Sequence, residues 1–548
     1  MPRSRSDLAY RVHSKRSQVT IRTAPPTIPE HFTAAVARVP ERVALQYFDG
    51  HLTYRNLEDL VSGLASHLID SGLTSGDRIA VKLQSSPHFV ITVLAAWRIG
   101  CIVVPINPMY RREEVAGILA DCTARAVVCS REAYVDAMKG LASERSGLVV
   151  LTTDERDFQT HNDIRVFGEP KAYSAADVAG ADDLIEVASS GKVSPRFASS
   201  FVDVALICYT SGTSGPPKGA ILTHGNLAVD IESTAQALDL GDAACIFAMA
   251  PLFHVTGLVV EFAQSIALAG TLVLPYRFAP AVAIELFLAH RPKFTVGPPT
   301  AYMALMAHTD TAEAFASFEV LLSGGAPLPP AVVDEFERRF GLYIVNGYGL
   351  TETSAACVLM PIGTRAPVDE STTALANGLP LSGVELRITD PDGVDVPDRE
   401  KGEIVVRGAV VSPGYWERPE ETAAAFRDGW FRTGDVGVFG DDGLLYVVDR
   451  MKDMIIASGF KVWPGEVEQV LYSHVAVREA AVVGVADHYR GESVKAFVAV
   501  DPAAGATSSD LIAWCRNNLA AFKVPREIEI LSDLPKTASG KILRRALK

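Results

Sequence analysis

The stretch Tyr209-Thr210-Ser211-Gly212-Thr213-Ser214-Gly215-Pro216-Pro217-Lys218-Gly219 constrains this chain more than any other. It follows an apolar, β-branched run, Val204 to Ile207, that reads as a strand. Glycines allow close backbone approach and left-handed conformations, so N–H groups can converge on anionic oxygens. The hydroxyls of Thr210, Ser211, Thr213 and Ser214 add donors, and Lys218 adds positive charge. Such a loop is suited to phosphate. It is not a Walker loop: counted from Gly212, Pro217 falls where the second glycine is required, and Gly219 where a hydroxyl must hold magnesium.

The surroundings read as α/β. Ile79 to Leu83, a helical stretch Pro87 to Arg98 and Ile102 to Val104 have the spacing of a βαβ unit. Apolar runs recur at Ala126 to Cys129, Leu148 to Leu151, Thr271 to Leu274, Phe294 to Val296 and Val320 to Leu322, alternating with helical segments such as Ala281 to Ala289 and Ala331 to Phe340. The polar segment from Asp154 to Ser200 reads as surface connection. From Gly383 short β-type pieces (Val384 to Ile388, Gly402 to Val406, Leu444 to Val448) separated by Asp-Gly turns at 392, 428 and 442 indicate a small, mainly antiparallel region. Beyond Lys452 short strands mix with helices at Gly465 to Leu471 and Ser509 to Leu519.

With 548 residues, 48% of them hydrophobic, the chain exceeds what one core can serve, so several domains are expected. A net charge of −14 argues against broad nucleic-acid or anionic-membrane binding, which need a positive field. The seven cysteines are scattered, with no C-x-x-C pair, as expected of reduced thiols in a cytoplasmic protein. The most apolar run, Phe89 to Ile106, is interrupted by Arg98, so no membrane span is expected. The Arg- and Ser-rich start has no apolar signal core, and residues 1–25 are expected to be a disordered extension.

The loop from Thr210 to Lys218 resembles that of the adenylate-forming superfamily, which includes acyl-CoA synthetases, peptide-synthetase adenylation domains and luciferases. Further motifs agree with it in order. By resemblance, Ser323-Gly324-Gly325-Ala326-Pro327 lines one face of adenine, and Gly325 also touches the acyl group. In Asn346-Gly347-Tyr348-Gly349-Leu350-Thr351-Glu352, Tyr348 stacks on adenine, Asn346 bonds its amino group, Gly347 lies beside the acyl group and Thr351 contacts the α-phosphate. Glu352, with Thr210, would hold Mg²⁺, a hard cation that prefers oxygen ligands. Asp435, in Trp430-Phe431-Arg432-Thr433-Gly434-Asp435, would accept the ribose hydroxyls with support from Arg450, and Lys452 is the expected hinge. Lys541, in Thr537-Ala538-Ser539-Gly540-Lys541, matches the catalytic lysine, whose fixed charge is of a kind typically worth about 10²–10³ in rate.

The run Asp453-Met454-Ile455-Ile456 with Ser458-Gly459-Phe460 and Glu466-x-Glu468 is similar to medium- and long-chain fatty acyl-CoA synthetases; aryl-CoA ligases usually carry Lys where Ile456 stands. Lys461 and Trp463 depart from that pattern, which bears on the acceptor. By analogy Ser458 and Gly459 would line the pantetheine tunnel, and Pro251-Leu252-Phe253-His254-Val255-Thr256-Gly257-Leu258 the acyl site, with His254 at its mouth. Val255, Thr256 and Val260 place no cation at its far end, and Gly297-Pro298-Pro299-Thr300 would add a wall, so an uncharged, apolar acid is favoured.

The resemblance thus implies a mixed α/β fold. Residues 26–449 would form a large acyl- and ATP-binding domain with a small β-rich subdomain, and residues 450–548 a mobile α+β domain carrying the lysine. The expected activity is acyl-AMP formation from a carboxylic acid, ATP and Mg²⁺, then transfer to CoA. The alternatives are an adenylating amide synthetase and an aryl-CoA ligase. No nucleic-acid partner is expected, and the oligomeric state is open.

Overall fold

The computed structural model describes residues 24–210, 217–457, 460–487, 491–537 and 539–547. The expected βαβ unit is present. Strands Arg78–Lys82 and Ile102–Pro105 run parallel, joined by the helix Pro87–Arg98. Pro87 opens that helix at a position where its missing N–H costs nothing, and every residue of the helix is buried. Arg98, which breaks the apolar run, closes the helix. Its guanidinium meets Glu58 Oε1 at 2.8 Å and donates to Ser194 Oγ at 2.6 Å. No helix among the described residues is long and apolar enough to cross a membrane.

Among the described residues four sheets form, of nine, seven, five and five strands. In the seven-stranded sheet, Ala126–Ser130, Arg78–Lys82, Ile102–Pro105 and Val204–Thr210 are neighbours in parallel. Its edge is antiparallel: Val204–Thr210 folds back on Lys218–Thr223, with Thr210 opposite Lys218. Thr210 and Lys218, at the two ends of the phosphate-type stretch, are therefore paired on antiparallel strands, where a Walker site has a strand followed by a helix. Trp97 anchors the helix beneath this hairpin, donating its Nε1–H to Ala205 O at 2.9 Å.

The nine-stranded sheet has Thr271–Leu274, Cys245–Phe247, Phe294–Gly297, Val320–Ser323 and Ile344–Tyr348 side by side in parallel. The expected antiparallel region follows: Val384–Thr389, Gly402–Gly408, Phe426–Arg427, Trp430–Phe439 and Leu445–Arg450. The tight Phe426–Phe431 hairpin turns on Asp428 and Gly429, both at positive φ (52° and 78°), as a primed turn requires. One continuous apolar core underlies these three sheets. The last sheet, from Ile455–Ala457 to Glu527–Leu531, packs with helices Pro464–Tyr472 and Ser508–Asn518 around a core of its own.

The segment from Asp154 to Ser200 is more than surface connection. It contains helices Ile164–Phe167 and Leu184–Ala188, buries Val166, Leu184 and Ala188, and supplies Ser194 to the buried Arg98. Elements this short leave no periodic signal, which is why the sequence reads as loop. All seven cysteines are free, and six are buried. The region expected to be a disordered extension lies almost wholly outside the described residues.

Truncating Trp97 would remove a fully buried indole and orphan the Ala205 carbonyl. Trp97→Ala should cost about 3–5 kcal/mol, read as a lower denaturant midpoint for the transition of the large unit.

Candidate active site

The nucleotide-type residues gather where the parallel strands of the nine-stranded sheet end, the usual place for ligands in such sheets. Ser323 and Asn346 are cross-strand partners on Val320–Ser323 and Ile344–Tyr348. The Gly324-Gly325-Ala326-Pro327 turn follows; a Cβ on either glycine would meet nothing within 4 Å, and Gly325 has φ +80°. Backbone so bare can lie against a flat base. Asn346 Nδ2 donates to Ala376 O at 3.0 Å, whereas its buried Oδ1 has no partner among the described residues. That leftover acceptor suits an amino group.

Beyond Tyr348 the chain doubles back sharply. A Cβ on Gly349 would lie 1.7 Å from Ala355 O, so only glycine fits. Ser354 and Ala355 both have positive φ, at 63° and 132°. Tyr348 ends its strand just before this fold, and Thr351 and Glu352 lie in the short turn Thr351–Thr353 within it. Tyr348 O–H donates to Asp435 Oδ2 at 2.7 Å, and Asp435 Oδ1 lies 2.9 Å from Arg450 Nε. The antiparallel register sets that ion pair, because Asp435 and Arg450 are cross-strand partners. Burial pushes the Asp435 pKa above the ordinary carboxylate value, with Arg450 and the Tyr348 hydroxyl pulling the other way. A cleft of 410 Å³ opens beside them, lined by Thr433, Gly434, Arg450, Met451 and Lys452.

The phosphate end is joined by a residue that sequence reading missed. Tyr415 O–H donates to Glu352 Oε1 at 2.8 Å, and the Tyr415 ring lies 5.5 Å from Lys218 Nζ. Its segment is stitched to both sides: Ser412 N donates to Glu352 O at 2.8 Å, and Trp416 N to Gly219 O at 2.7 Å. Tyr415 has no sequence mark, since only the fold brings it between the hairpin and the Glu352 turn. Ser211, Gly212, Thr213 and Ser214 lie outside the described residues. Thr210 and Lys218 flank them.

Among the described residues no three ligating side chains form a metal cage. A single carboxylate fits Mg²⁺ nevertheless, because that ion takes one or two carboxylates and completes its shell with phosphate oxygens and water. Glu352, fixed by Tyr415 and mostly buried, is such a carboxylate.

Lys541 reaches this cleft from the other unit. Its tight turn closes through Thr537 N donating to Lys541 O (2.7 Å) and Lys541 N to Thr537 Oγ1 (3.1 Å). The turn rests on the Pro298–Thr300 segment, where Thr300 Oγ1 donates to Gly540 O at 2.7 Å. A Cβ on Gly540 would lie 3.1 Å from both Pro298 Cγ and Thr300 Oγ1, at φ +82°. Lys541 is solvent-exposed at its surface yet has protein packed densely around it. That enclosure, with the like charge of Arg450, lowers its pKa to about 8. His254 is close enough to feel the Lys541 charge. Burial first, then Lys541, lowers the His254 pKa to about 4, so the ring is neutral near pH 7. Its Nδ1 accepts from Thr256 N at 3.3 Å, leaving the proton on Nε2. Val255 and Val260 are buried and Thr256 partly so.

Lys452 sits in the turn Met451–Asp453, just after the last strand of the antiparallel region. A second set of charged residues, unnoticed in the sequence, includes its neighbour Asp453. Arg544, three residues past Lys541, meets Glu468 at 2.6 Å, Asp449 at 3.3 Å and Asp453 at 3.4 Å. Lys401 reaches across to Glu466 at 3.0 Å. The basic run after Lys541 was the available signal for Arg544. Ser458 and Gly459 lie outside the described residues; the strands Ile455–Ala457 and Phe460–Val462 are paired in the small unit.

Comparison with known proteins agrees with this geometry. Residues 32–416 match the family described as AMP-binding enzyme, and residues 466–541 its AMP-binding enzyme C-terminal domain. The chain belongs to this family of adenylate-forming enzymes. It is 34% identical over 536 residues to a long-chain-fatty-acid–CoA ligase of Bacillus subtilis (strain 168), covering 95% of this chain and 94% of that one. It is 35% identical over 506 residues to a feruloyl-CoA synthase of Amycolatopsis sp, covering 92% and 95%. Among solved structures, ATP-bound MatB from Rhodopseudomonas palustris superposes with a TM-score of 0.83 at 28% identity, covering 95% of this chain and 98% of that one. A benzoate CoA ligase from Burkholderia xenovorans LB400 gives 0.83 at 26% identity, covering 95% and 99%.

The depressed Lys541 pKa has a kinetic consequence. If the ammonium form is the active one, it predominates below pH about 8 and is lost above it. In pyrophosphate-exchange assays, kcat/KM, which reports the free enzyme, should therefore fall as pH rises through about 8. The neutral His254 should add no second step between pH 6 and 8.

Proposed function

We propose that this enzyme activates a carboxylic acid with ATP to give an acyl-adenylate, and then transfers the acyl group to CoA, releasing AMP. The observation that carries the reading is the meeting of Lys541, His254, Asp435 and Arg450 in one cleft, with Lys541 supplied by the other unit and seated on Thr300.

A carboxylate oxygen of the acid attacks the α-phosphorus; the bond to the bridging oxygen breaks and pyrophosphate leaves. Lys541 balances the charge on the carboxylate and α-phosphate oxygens, with Thr351 beside them. Asp435 and Arg450 hold the ribose, and Asn346, Tyr348 and the Gly324–Pro327 turn hold the base. Lys218 and the loop after Thr210 receive pyrophosphate. Mg²⁺ bound at Glu352 would neutralise phosphate charge. The small unit, residues 450–548, then turns at Lys452, withdrawing Lys541 and presenting Ser458 and Gly459 to the adenylate. The CoA sulfur attacks the acyl carbon, its proton passes to solvent, and the bond to AMP breaks. Orientation and fixed charge account for both steps without a strong base.

The acid is read as an apolar aliphatic one. Val255 and Val260 are buried beside His254, and the Bacillus subtilis relative is a long-chain-fatty-acid–CoA ligase. The similarity to a feruloyl-CoA synthase supports an aryl acid as the second reading. The place of action is read as the cytoplasm, in keeping with free cysteines and no membrane-crossing helix among the described residues.

Lys541→Ala should reduce acyl-adenylate formation by about 10²-fold or more while leaving CoA transfer from a supplied acyl-adenylate largely intact. Equal loss of both would remove Lys541 from the chemistry. Product masses from a panel of aliphatic and aromatic acids, with and without CoA, test the whole reaction. Adenylate that accumulates regardless of CoA would move the acceptor to an amine.

A further inference from the structure

The helical run Gly257–Ala263 leaves the His254 turn and carries an acid that the apolar reading of this region did not include. Glu261 is wholly buried. Its Oε1 accepts from Val296 N at 3.0 Å and Met249 N at 3.2 Å, and Thr295 Oγ1 lies at 3.2 Å. These residues stand at the ends of the strands Cys245–Phe247 and Phe294–Gly297, just before the two segments expected to form the acyl site, Pro251–Leu258 and Gly297–Thr300. The two strand ends are in contact, since a Cβ on Gly297 would lie 2.5 Å from Met249 Cε. The carboxyl is thus wedged between the roots of both walls.

Oε1 is fully employed, and Oε2 is not. It is buried with no hydrogen-bond partner among the described residues. Three positions on, Gln264 is also wholly buried, and neither its amide oxygen nor its nitrogen has a partner among those residues. Native interiors leave few polar groups unpaired, because each loses its water without a replacement. Two such side chains within one helical turn are out of keeping with a site for a plain hydrocarbon chain. Burial drives the Glu261 carboxyl towards its neutral form, which both donates and accepts, as the Gln264 amide does.

We propose that Glu261 and Gln264 form a polar recognition element in the acyl site, selecting acids whose chain or ring bears a hydroxyl group. The proposal rests on the acyl-activating reading above and narrows its substrate class. Bracing the two strand ends explains Oε1 alone. A substrate hydroxyl would occupy the free carboxyl oxygen and the amide together. Recognition through such groups discriminates steeply, because the analogue lacking the hydroxyl leaves them unpaired.

The test compares adenylation kcat/KM for pairs of acids of equal length, with and without a hydroxyl at successive positions, and for phenolic against plain aryl acids. Wild type should prefer at least one hydroxylated acid over its plain counterpart by about tenfold or more. Glu261→Leu and Gln264→Leu should abolish or invert that preference by lowering kcat/KM for the hydroxylated acid, with the plain acid unchanged or improved. Glu261→Gln, which keeps a donor and an acceptor, should retain most of it. Melting midpoints verify folding, and if Glu261→Leu does not fold, Gln264→Leu and Glu261→Gln decide. Equal or better use of every plain acid by wild type overturns the proposal, as does an equal loss for both acids in the variants, which marks a brace only. Absence of pyrophosphate release with every acid would instead overturn the acyl-activating reading itself.

Discussion

The hydrogen bond from Thr300 Oγ1 to Gly540 O is the contact on which the assembled site depends. Lys541 is 241 residues away in sequence from Thr300 and belongs to a unit with its own core. That seat holds the turn carrying Lys541 against the large unit, close enough for its charge to act on Asp435 and Arg450. The seat is narrow: Gly540 is in the left-handed region, and a Cβ there would press on Pro298 and Thr300 at 3.1 Å. Behind it, Arg544 ties the same turn to Asp449, Asp453 and Glu468. Burial alone would lower the Arg544 pKa, but the Glu468 and Asp449 carboxylates outweigh it, so the cation is secure. A buried charge persists only with such partners.

The contacts between the two units are of a kind that can be exchanged. Lys401 keeps 32% of its side chain exposed while it meets the buried carboxylate of Glu466. Glu466 is also held by Lys523 of its own unit, so its carboxylate is not orphaned when Lys401 leaves. The large unit offers Thr300, whose hydroxyl can turn to water. The short turn Met451–Asp453 has a strand on either side. Rigid cores joined by few, replaceable contacts suit a site that must be built for one step and opened for the next.

The cleft sorts its charges by position. Glu352 and Lys218 gather at one end around Tyr415, and Asp435 and Arg450 at the other around Tyr348. Each tyrosine holds a carboxylate by its hydroxyl, which fixes where the negative charge points before any ligand arrives. Preorganised charge of this kind costs nothing to orient during reaction.

The sequence by itself determined the local pieces. The helix Pro87–Arg98, the parallel strands, the Asp428-Gly429 hairpin and the contiguous motifs around Thr210, Asn346 and Lys541 were legible, because propensity, turn chemistry and motif spacing act between near neighbours. The resemblance they carry extends to the family. Only the tertiary structure decided what those pieces meet. Tyr415 and Glu261 bear no local mark, and the marks on Thr300 (an expected acyl-site wall) and Arg544 (the basic run after Lys541) do not name their partners, which for these four lie 63, 35, 240 and 76 residues away. The buried strands and helices that set such distances are specified by packing across the whole chain. For that reason the apolar reading of the acyl site missed a carboxyl that one further turn of helix carries into its walls.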